Sequence, residues 1–221
     1  MTQDNHSLEN RRPLKVRGVG LVNQFARWLS QKSITPNHIS ILSIVFAALA
    51  AACLLMVPQY VGLSQVALYV LAALLIQGRL LCNLFDGLVA IEGGKSTASG
   101  ELFNDVPDRI SDPLIIVAAG YSIMCVAYGD VLGWCGALLA VLTAYIRTLA
   151  VSIGAPANFT GPMAKQHRMA LITVACVVTA IEQYVWQHDY AMLIALVVLT
   201  VGCVLTNWRR AASAYHFLEQ K

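Results

Sequence analysis

The chain has 221 residues, of which 57% are hydrophobic and only 12% are charged, and its formal net charge is +3. Soluble domains carry about 25% charged residues, so this composition excludes a water-soluble globular protein and predicts an integral membrane protein. The six cysteines are scattered through apolar segments without a Cys-x-x-Cys pair. We therefore expect them to be small buried hydrophobic residues, not a zinc site or a disulfide framework.

The chain starts with a polar, basic leader of 33 residues. Within residues 14–31, apolar and basic side chains are interspersed in a pattern typical of an amphipathic helix lying on an anionic membrane surface. A disordered basic leader is the alternative. Thr35 and Pro36 then predict a helix start, because Thr caps a first turn and Pro fits the first helical position.

Six apolar segments follow, each close to the roughly 20 residues that a helix needs to cross the bilayer core. They are 39–57, 63–83, 113–128, 131–153, 169–186 and 190–207. The third is long enough only if its helix starts near Gly100 and has a polar first half. The predicted fold class is an all-α integral membrane protein with six transmembrane helices and an N-terminal interfacial amphipathic helix. We divide it into a leader (1–33), a six-helix domain (34–207) and a cytoplasmic tail (208–221).

The connections differ in charge. The short connections 58–62, 129–130 and 187–189 contain no Lys or Arg, whereas basic residues populate the leader, the other connections and the tail. Because basic loop residues stay on the cytoplasmic side of a membrane, both termini are predicted to be cytoplasmic. The bacterial inner membrane is the expected location.

Six of the twelve acidic residues lie between Asp86 and Asp112. Arg79, Asn83 and Asp86 are spaced i, i+4, i+7 at the end of the second segment, so they share one helix face. An unpaired charge in hydrocarbon costs about 2.5–3.5 kcal/mol or more. These side chains are therefore expected to face a polar cavity near the cytoplasmic interface or to bind cations.

Further polar residues precede the third apolar run. Asn104, Asp108 and Asp112 are four residues apart, and Asp105 lies one helical turn before Asp108. Oxygen ligands without His or Cys suit a hard cation such as Mg²⁺, Mn²⁺ or Ca²⁺. Mg²⁺ held by few carboxylates commonly shares its other positions with substrate phosphates, so the cluster indicates phosphoryl or diphosphate chemistry. A structural polar network or an ion pathway is the alternative.

The spacing of these residues resembles the signature D-x-x-D-G-x-x-A-R-x8-G-x3-D-x3-D of the CDP-alcohol phosphatidyltransferases. This chain reads Asn83-x-x-Asp86-Gly87-x-x-Ala90-x9-Gly100-x3-Asn104-x3-Asp108, without an insertion. Segments 34–37, 145–147 and 161–168 are also similar to the family, and the resemblance covers roughly 33–207. It departs from the signature at Asn83, at Asn104 and at Ile91, which replaces the signature arginine.

The resemblance implies transfer of a phosphatidyl group from a CDP-alcohol, expected to be CDP-diacylglycerol, to a hydroxyl acceptor with release of CMP, in phospholipid biosynthesis. Its cofactor would be Mg²⁺ or Mn²⁺, and Asp108 would be the general base. The metal ligands would be Asn83, Asp86, Asn104 and Asp108, with Asp105 and Asp112 as candidates for the charge that the asparagines lack.

The resemblance also implies substrate contacts and partners. Asp86, Gly87, Ala90 and Gly100 would bind the CDP group, with Arg79 and Lys95 as candidates to replace the missing arginine. Arg147, Lys165 and Arg168 would bind the acceptor, for which a phosphorylated polyol is a candidate. We expect membrane lipid contacts and a homodimer, and no nucleic-acid partner.

Two other functions stay open at this point. One is a catalytically silent membrane protein of the same fold that binds a lipid or nucleotide. The other is an ion-coupled transporter that uses the polar cluster as an ion site. A transporter would need polar residues across the whole bilayer, and the outer halves of the apolar segments contain few.

Overall fold

The computed structural model describes residues 35–92 and 100–220, and this part of the chain folds into six α-helices without a strand. The helices are α1 (Pro36–Met56), α2 (Leu63–Glu92), α3 (Gly100–Tyr121), α4 (Gly129–Ser152), α5 (Lys165–Trp186) and α6 (Tyr190–Glu219). The all-α fold class is therefore confirmed. The amphipathic helix predicted within residues 14–31 lies outside the described residues.

The first helix begins where the sequence predicts. Thr35 is the N-cap of α1, and its side chain accepts a hydrogen bond from the backbone N–H of His38. Pro36 occupies the first turn, where its missing N–H would have no intrahelical partner in any case. Because α1 starts here, Ser40 lies one turn into the helix and reaches the polar cluster described below.

Small residues allow the helices to approach closely. The face of α1 that packs against α2 and α3 contains the buried residues Ala47, Ala50 and Ala51. At the α3–α4 crossing, a Cβ atom added to Gly120 would lie 2.7 Å from the Gly133 Cα, so the two backbones are in contact. Van der Waals packing of small residues is a principal source of helix association in lipid. The bundle continues with contacts between α2 and α5, α4 and α6, and α5 and α6.

The exterior of the bundle is apolar, as expected for an integral membrane protein. Large side chains such as Leu138 (66%) and Ile194 (61%) are well exposed on α4 and α6. Five of the described helices are long and apolar enough to cross a membrane. The exception is α3, which starts at Gly100 as the sequence predicts and carries Asp105, Asp108 and Asp112 ahead of its apolar run.

The third helix ends earlier than its apolar run predicts. It stops at Tyr121, and residues 122–128 form the connection to α4, which starts at Gly129 and not at 131. Residues distant in the sequence hold this connection: the Tyr69 hydroxyl in α2 donates to the Ser122 carbonyl, and the Met124 N–H donates to the carboxylate of Asp189, the N-cap of α6. At the other end, α6 continues to Glu219, past the residue where we placed the end of the domain.

Candidate active site

Asp108 is the centre of the polar cluster, where the end of α2 meets the start of α3. Its Oδ1 accepts hydrogen bonds from Arg79 Nη2 at 2.8 Å and from Asn83 Nδ2 at 2.6 Å, and its Oδ2 contacts Lys165 Nζ. Its side chain is only 4% exposed. The α2 face that contains Arg79 and Asn83 is therefore directed at α3. The Asp108 carboxylate contacts two cationic side chains and one amide group there.

Asp112, one turn further along α3, ties three helices together. Its Oδ1 lies 2.6 Å from Arg79 Nη2, as a close ion pair and not a well-directed hydrogen bond. Its Oδ2 lies 3.2 Å from Arg168 Nη2, and Arg168 also donates to the Met163 carbonyl at 2.9 Å. All three charged side chains are buried, so each compensates charges that would be costly to leave unpaired.

Asp86 has neutral partners. Its Oδ2 accepts a hydrogen bond from Ser40 Oγ at 2.8 Å, and its Oδ1 accepts one from the Gly87 N–H at 2.6 Å. Among the described residues it forms no ion pair, although Lys165 and Asp108 are close enough to interact with it electrostatically. Asp86 is thus a buried carboxylate whose charge is not compensated by direct contact with a cation in the described part of the chain.

A short loop positions the two basic residues that α5 contributes. Gly161 has a φ of 130°, which side chains disfavour, and a Cβ added there would lie 2.4 Å from Thr206 Cγ2. The Thr206 hydroxyl also accepts a hydrogen bond from the Met163 N–H at 3.0 Å. The loop is therefore docked on α6, and α5 starts at Lys165 with its first turn facing α3.

A second ion pair forms between α3 and α4. Asp105 Oδ2 lies 2.8 Å from Arg147 Nη2 and 3.2 Å from Arg109 Nη2. The Arg147 guanidinium also lies 5.1 Å from the centre of the Phe159 ring. Arg147 therefore has a carboxylate partner, as expected for an arginine within an apolar run.

Next to Arg147 is a cavity of about 440 Å³ between α4, the connection that follows it and α6. Its lining includes Asn158, Phe159 and Arg210. Arg210 donates to the Thr160 carbonyl at 3.0 Å and to the Thr143 carbonyl at 2.9 Å. We had assigned residue 210 to the tail. Cys203, Asn207 and Arg210 are spaced i, i+4, i+7 and are all buried, and this spacing could have placed Arg210 on an inward face.

The three basic residues predicted to bind an acceptor do not form one group. Lys165 contacts Asp108, Arg168 contacts Asp112, and Arg147 contacts Asp105. The residues predicted to contact CDP fall on either side of the connection between α2 and α3, with Gly87 and Ala90 in the last turns of α2 and Gly100 at the start of α3. Lys95 and the side chain of Asn104 lie outside the described part of the structure.

The donor chemistry fits a hard divalent cation that is completed by substrate. In the described part of the chain, no three His, Cys, Asp or Glu side chains are grouped closely enough to hold a metal ion alone. Asp86 and Asp108 supply carboxylate oxygens, and Asn83 has an amide oxygen. Mg²⁺ is commonly bound by one or two carboxylates together with substrate phosphates, so this partial set is suited to an ion that arrives with a diphosphate.

The chain belongs to the CDP-alcohol phosphatidyltransferase family, whose model matches residues 33–208. It is therefore a membrane transferase of substituted phosphate groups, of the kind that acts in phospholipid biosynthesis. The resemblance seen in the signature is confirmed, and so is the prediction of an enzyme.

Relatives of known sequence or structure agree with this assignment. Inner membrane protein YnbA of Escherichia coli K12 is 24% identical over 146 residues, which are 64% of this chain and just under two thirds, 66%, of YnbA. Mycobacterium tuberculosis phosphatidylinositol phosphate synthase (PgsA1) with CDP-DAG bound has the same fold, with a TM-score of 0.73 at 18% identity, over 89% of this chain and 94% of that chain. A structure of PgsA1 with manganese and citrate matches with the same score and identity, over 88% of each chain.

Proposed function

We propose that the chain transfers a phosphatidyl group from CDP-diacylglycerol to a hydroxyl acceptor and releases CMP. The observation that carries the proposal is the pair of buried carboxylates Asp86 and Asp108, at signature positions and next to Arg79 and Lys165. Carboxylates and cations at one polar end of a bundle suit a diphosphate that is bridged by metal. That PgsA1 has this fold and was solved with CDP-DAG supports a CDP-linked lipid as the donor.

The cofactor we propose is one of the hard divalent ions, Mg²⁺ or Mn²⁺, held by Asp86 and Asp108 with the amide groups of Asn83 and Asn104. When bound, it would neutralise charge on the diphosphate and on the departing CMP. Gly87, Ala90 and Gly100 would leave room beside the cytidine, because each has a small side chain or none. Asp105 and Asp112, which have cationic partners in α4 and α5, are proposed to position the site and not to bind the ion.

Asp108 would act as general base at Oδ2, the oxygen that faces Lys165. The acceptor oxygen forms a bond to the phosphorus that bears the diacylglycerol, and the bond from that phosphorus to the CMP oxygen breaks. Lys165 would move from Oδ2 towards the acceptor, and the acceptor proton would move to Asp108 Oδ2, which has a second lone pair to receive it when an ion occupies the first. Arg79 and Asn83 hold Oδ1 throughout, which fixes the orientation of the carboxylate. General-base assistance of this kind typically contributes about 10²–10⁴ in rate.

The acceptor is proposed to enter by the cavity lined by Arg147 and Arg210. Two guanidinium groups there favour an anionic alcohol such as a phosphorylated polyol, because guanidinium recognises phosphate with paired hydrogen bonds. Lys165, next to Asp108, would be the cation closest to the reacting hydroxyl. Arg168 would stabilise the site through its ion pair with Asp112. A homodimer in the bacterial inner membrane, with both termini cytoplasmic, completes the proposal.

The contacts of Asp108 also suit a second candidate function, binding of a CDP-lipid without catalysis. Both of its oxygens contact donors, two of them cationic, so a protein that binds a CDP-lipid without turnover would preserve the same contacts. The two functions differ in product formation. The purified chain in lipid nanodiscs is given CDP-diacylglycerol, Mn²⁺ and a panel of phosphorylated polyols, and CMP release and new lipids are measured.

Release of CMP with formation of a matching phospholipid, abolished by EDTA and restored by Mn²⁺, is the result expected for the transferase. Tight donor binding without CMP release, across the whole acceptor panel, would favour the silent binding protein. A lipid comparison by mass spectrometry between cells with and without the chain provides an independent check of the product.

A further inference from the structure

One cation in the site is fixed next to Asp108. Arg79 is fully buried in α2, and its Nη2 lies 2.8 Å from Asp108 Oδ1 and 2.6 Å from Asp112 Oδ1. Its Nε and Nη1 have no hydrogen-bond acceptor among the described residues, so its charge is directed at these two carboxylates. Because a guanidinium stays protonated in proteins, Arg79 is a permanent positive charge within the cluster.

The two oxygens of Asp108 differ in how readily they can be released. Oδ1 accepts hydrogen bonds from Arg79 and Asn83, whereas Oδ2 contacts the ammonium group of Lys165, whose side chain is 25% exposed. A lysine on a flexible stem at the cluster's edge can move aside. Arg79 cannot move without leaving a buried charge unpaired in the membrane, which is strongly unfavourable. Only Oδ2 is therefore open to an incoming metal ion.

The charges of the cluster also bear on how many divalent ions it can hold. Asp86, Asp108 and Asp112 carry three negative charges, and three buried or half-buried cations, Arg79, Lys165 and Arg168, balance them. A single divalent ion adds two positive charges, which the two negative charges of one CDP-linked diphosphate compensate. A second ion would add two further positive charges next to a permanent cation, and among the described residues the next carboxylate on α3, that of Asp105, is already paired with Arg147 and Arg109.

We propose that the site binds one divalent ion, between Asp86 and Oδ2 of Asp108, and that Arg79 excludes a second ion from Oδ1. Arg79 is in this sense a built-in counter-cation of the site and a positioning residue for Asp108. The inference rests on the proposed function, because oxygens of the CDP group complete the shell of the ion.

The test counts ions and does not depend on turnover. The full chain in lipid nanodiscs is titrated with Mn²⁺ in the presence of CDP, and bound Mn²⁺ is quantified by electron paramagnetic resonance and elemental analysis. The expected result is one Mn²⁺ per chain, without the exchange-coupled spectrum that two bridged ions produce. Two ions per chain, a coupled spectrum, or no bound Mn²⁺ would each overturn the inference.

Variants test whether Arg79 is the excluding group. Arg79→Met combined with Asn83→Asp removes the cation and adds a carboxylate, so two Mn²⁺ per chain are expected. Arg79→Lys retains the charge and should still bind one ion, and so should the matched control Arg209→Met on the exposed side of α6. A count of one in the double variant, in a monodisperse preparation, would reject Arg79 as the excluding group. Asn83→Asp alone keeps Arg79 and should still bind one ion, so two ions in that single variant would also reject Arg79 as the excluding group, whether or not the double variant folds.

The single-ion site and the proposed transfer activity can be rejected independently. One bound Mn²⁺ without CMP release from CDP-diacylglycerol would reject the proposed transfer and leave the single-ion site in place. CMP release with two bound ions would reject the single-ion site alone.

Discussion

Asp86 and Asp108 are both buried carboxylates, but they have different partners and should respond differently to the same substitution. Asp108→Asn removes the group that takes the acceptor proton, so we expect CMP release to fall by about 10²–10⁴-fold at saturating Mn²⁺. Asp86→Asn removes a negatively charged metal ligand whose hydrogen-bond donors are neutral. It should instead raise the Mn²⁺ concentration needed for half-maximal rate. Activity against Mn²⁺ concentration separates the two effects.

The matched control is Asp130→Asn, in the first turn of α4 at the opposite end of the bundle, where the carboxylate accepts a hydrogen bond from Val131 N–H and forms no ion pair among the described residues. It should behave as wild type. An Asp108→Asn protein with more than about a tenth of wild-type turnover would contradict the assigned proton transfer, since the expected loss is at least a hundredfold.

Asp112 should matter for stability more than for metal affinity. It is buried between Arg79 and Arg168, and removing one partner of a buried ion pair costs about 3–5 kcal/mol. Asp112→Ala is therefore expected to lower the free energy of unfolding by that amount, as measured by thermal or denaturant unfolding in detergent. Asp105→Ala breaks a pair whose side chains are 42% and 20% exposed, so it should cost less than Asp112→Ala, because water can reach the arginine that is left. Equal losses for the two variants would contradict the structural role of Asp112.

The same residues show how far the sequence reaches. Helical spacing predicted that Arg79, Asn83 and Asp86 share a face, and they do line the same cluster. Spacing within one helix carries no information on partners in another, so it left open whether Asp112 meets a metal ion, water or an arginine. The structure gives it two arginines, one from α2 and one from α5.

The sequence predicts a helix boundary where hydrophobicity determines it. It does not predict a boundary that depends on contacts with residues far away in the chain. Gly100 follows as the start of α3 from the length that a bilayer requires. The end of α3 at Tyr121 depends on Tyr69 in α2 and on Asp189, the N-cap of α6, and the apolar run continues beyond Tyr121 without a local stop signal.

The α3–α4 crossing supplies a test at this scale. A Cβ at Gly120 would lie 2.6 Å from the Gly129 carbonyl oxygen and 2.7 Å from the Gly133 Cα, and backbone atoms cannot move aside as a side chain can. Gly120→Ala is expected to destabilise the bundle by about 1–3 kcal/mol. The control is Gly78→Ala, for which the nearest atoms to the new methyl belong to the Phe46 ring, at 3.1 Å, and a ring can shift where a backbone cannot. The melting temperature in detergent should fall clearly for the first variant and little for the second.

Over the whole molecule, charge separates the two ends of the bundle. The end that contains Asp86 and Asp108 also holds Lys165, Arg168 and Arg210, whereas the opposite end, with the connections near residues 60, 125 and 188, has no Lys or Arg. Basic residues stay on the cytoplasmic side of a membrane. The site is therefore expected to open to the cytoplasm, where CMP and soluble acceptors are found.

Cysteine accessibility tests this orientation in a background that lacks the six native cysteines. Single cysteines replace Tyr60 and His188 at one end, and exposed Arg209 at the other end, so that none of the proposed site residues is altered. In intact cells, a membrane-impermeant maleimide is expected to label residues 60 and 188 and to label residue 209 only after the membrane is opened. Because all three positions are exposed at the surface of the bundle, lack of reaction would reflect the membrane and not burial. Labelling of residue 209 from outside, with protection of 60 and 188, would reverse the orientation and with it the proposed supply of substrates from the cytoplasm.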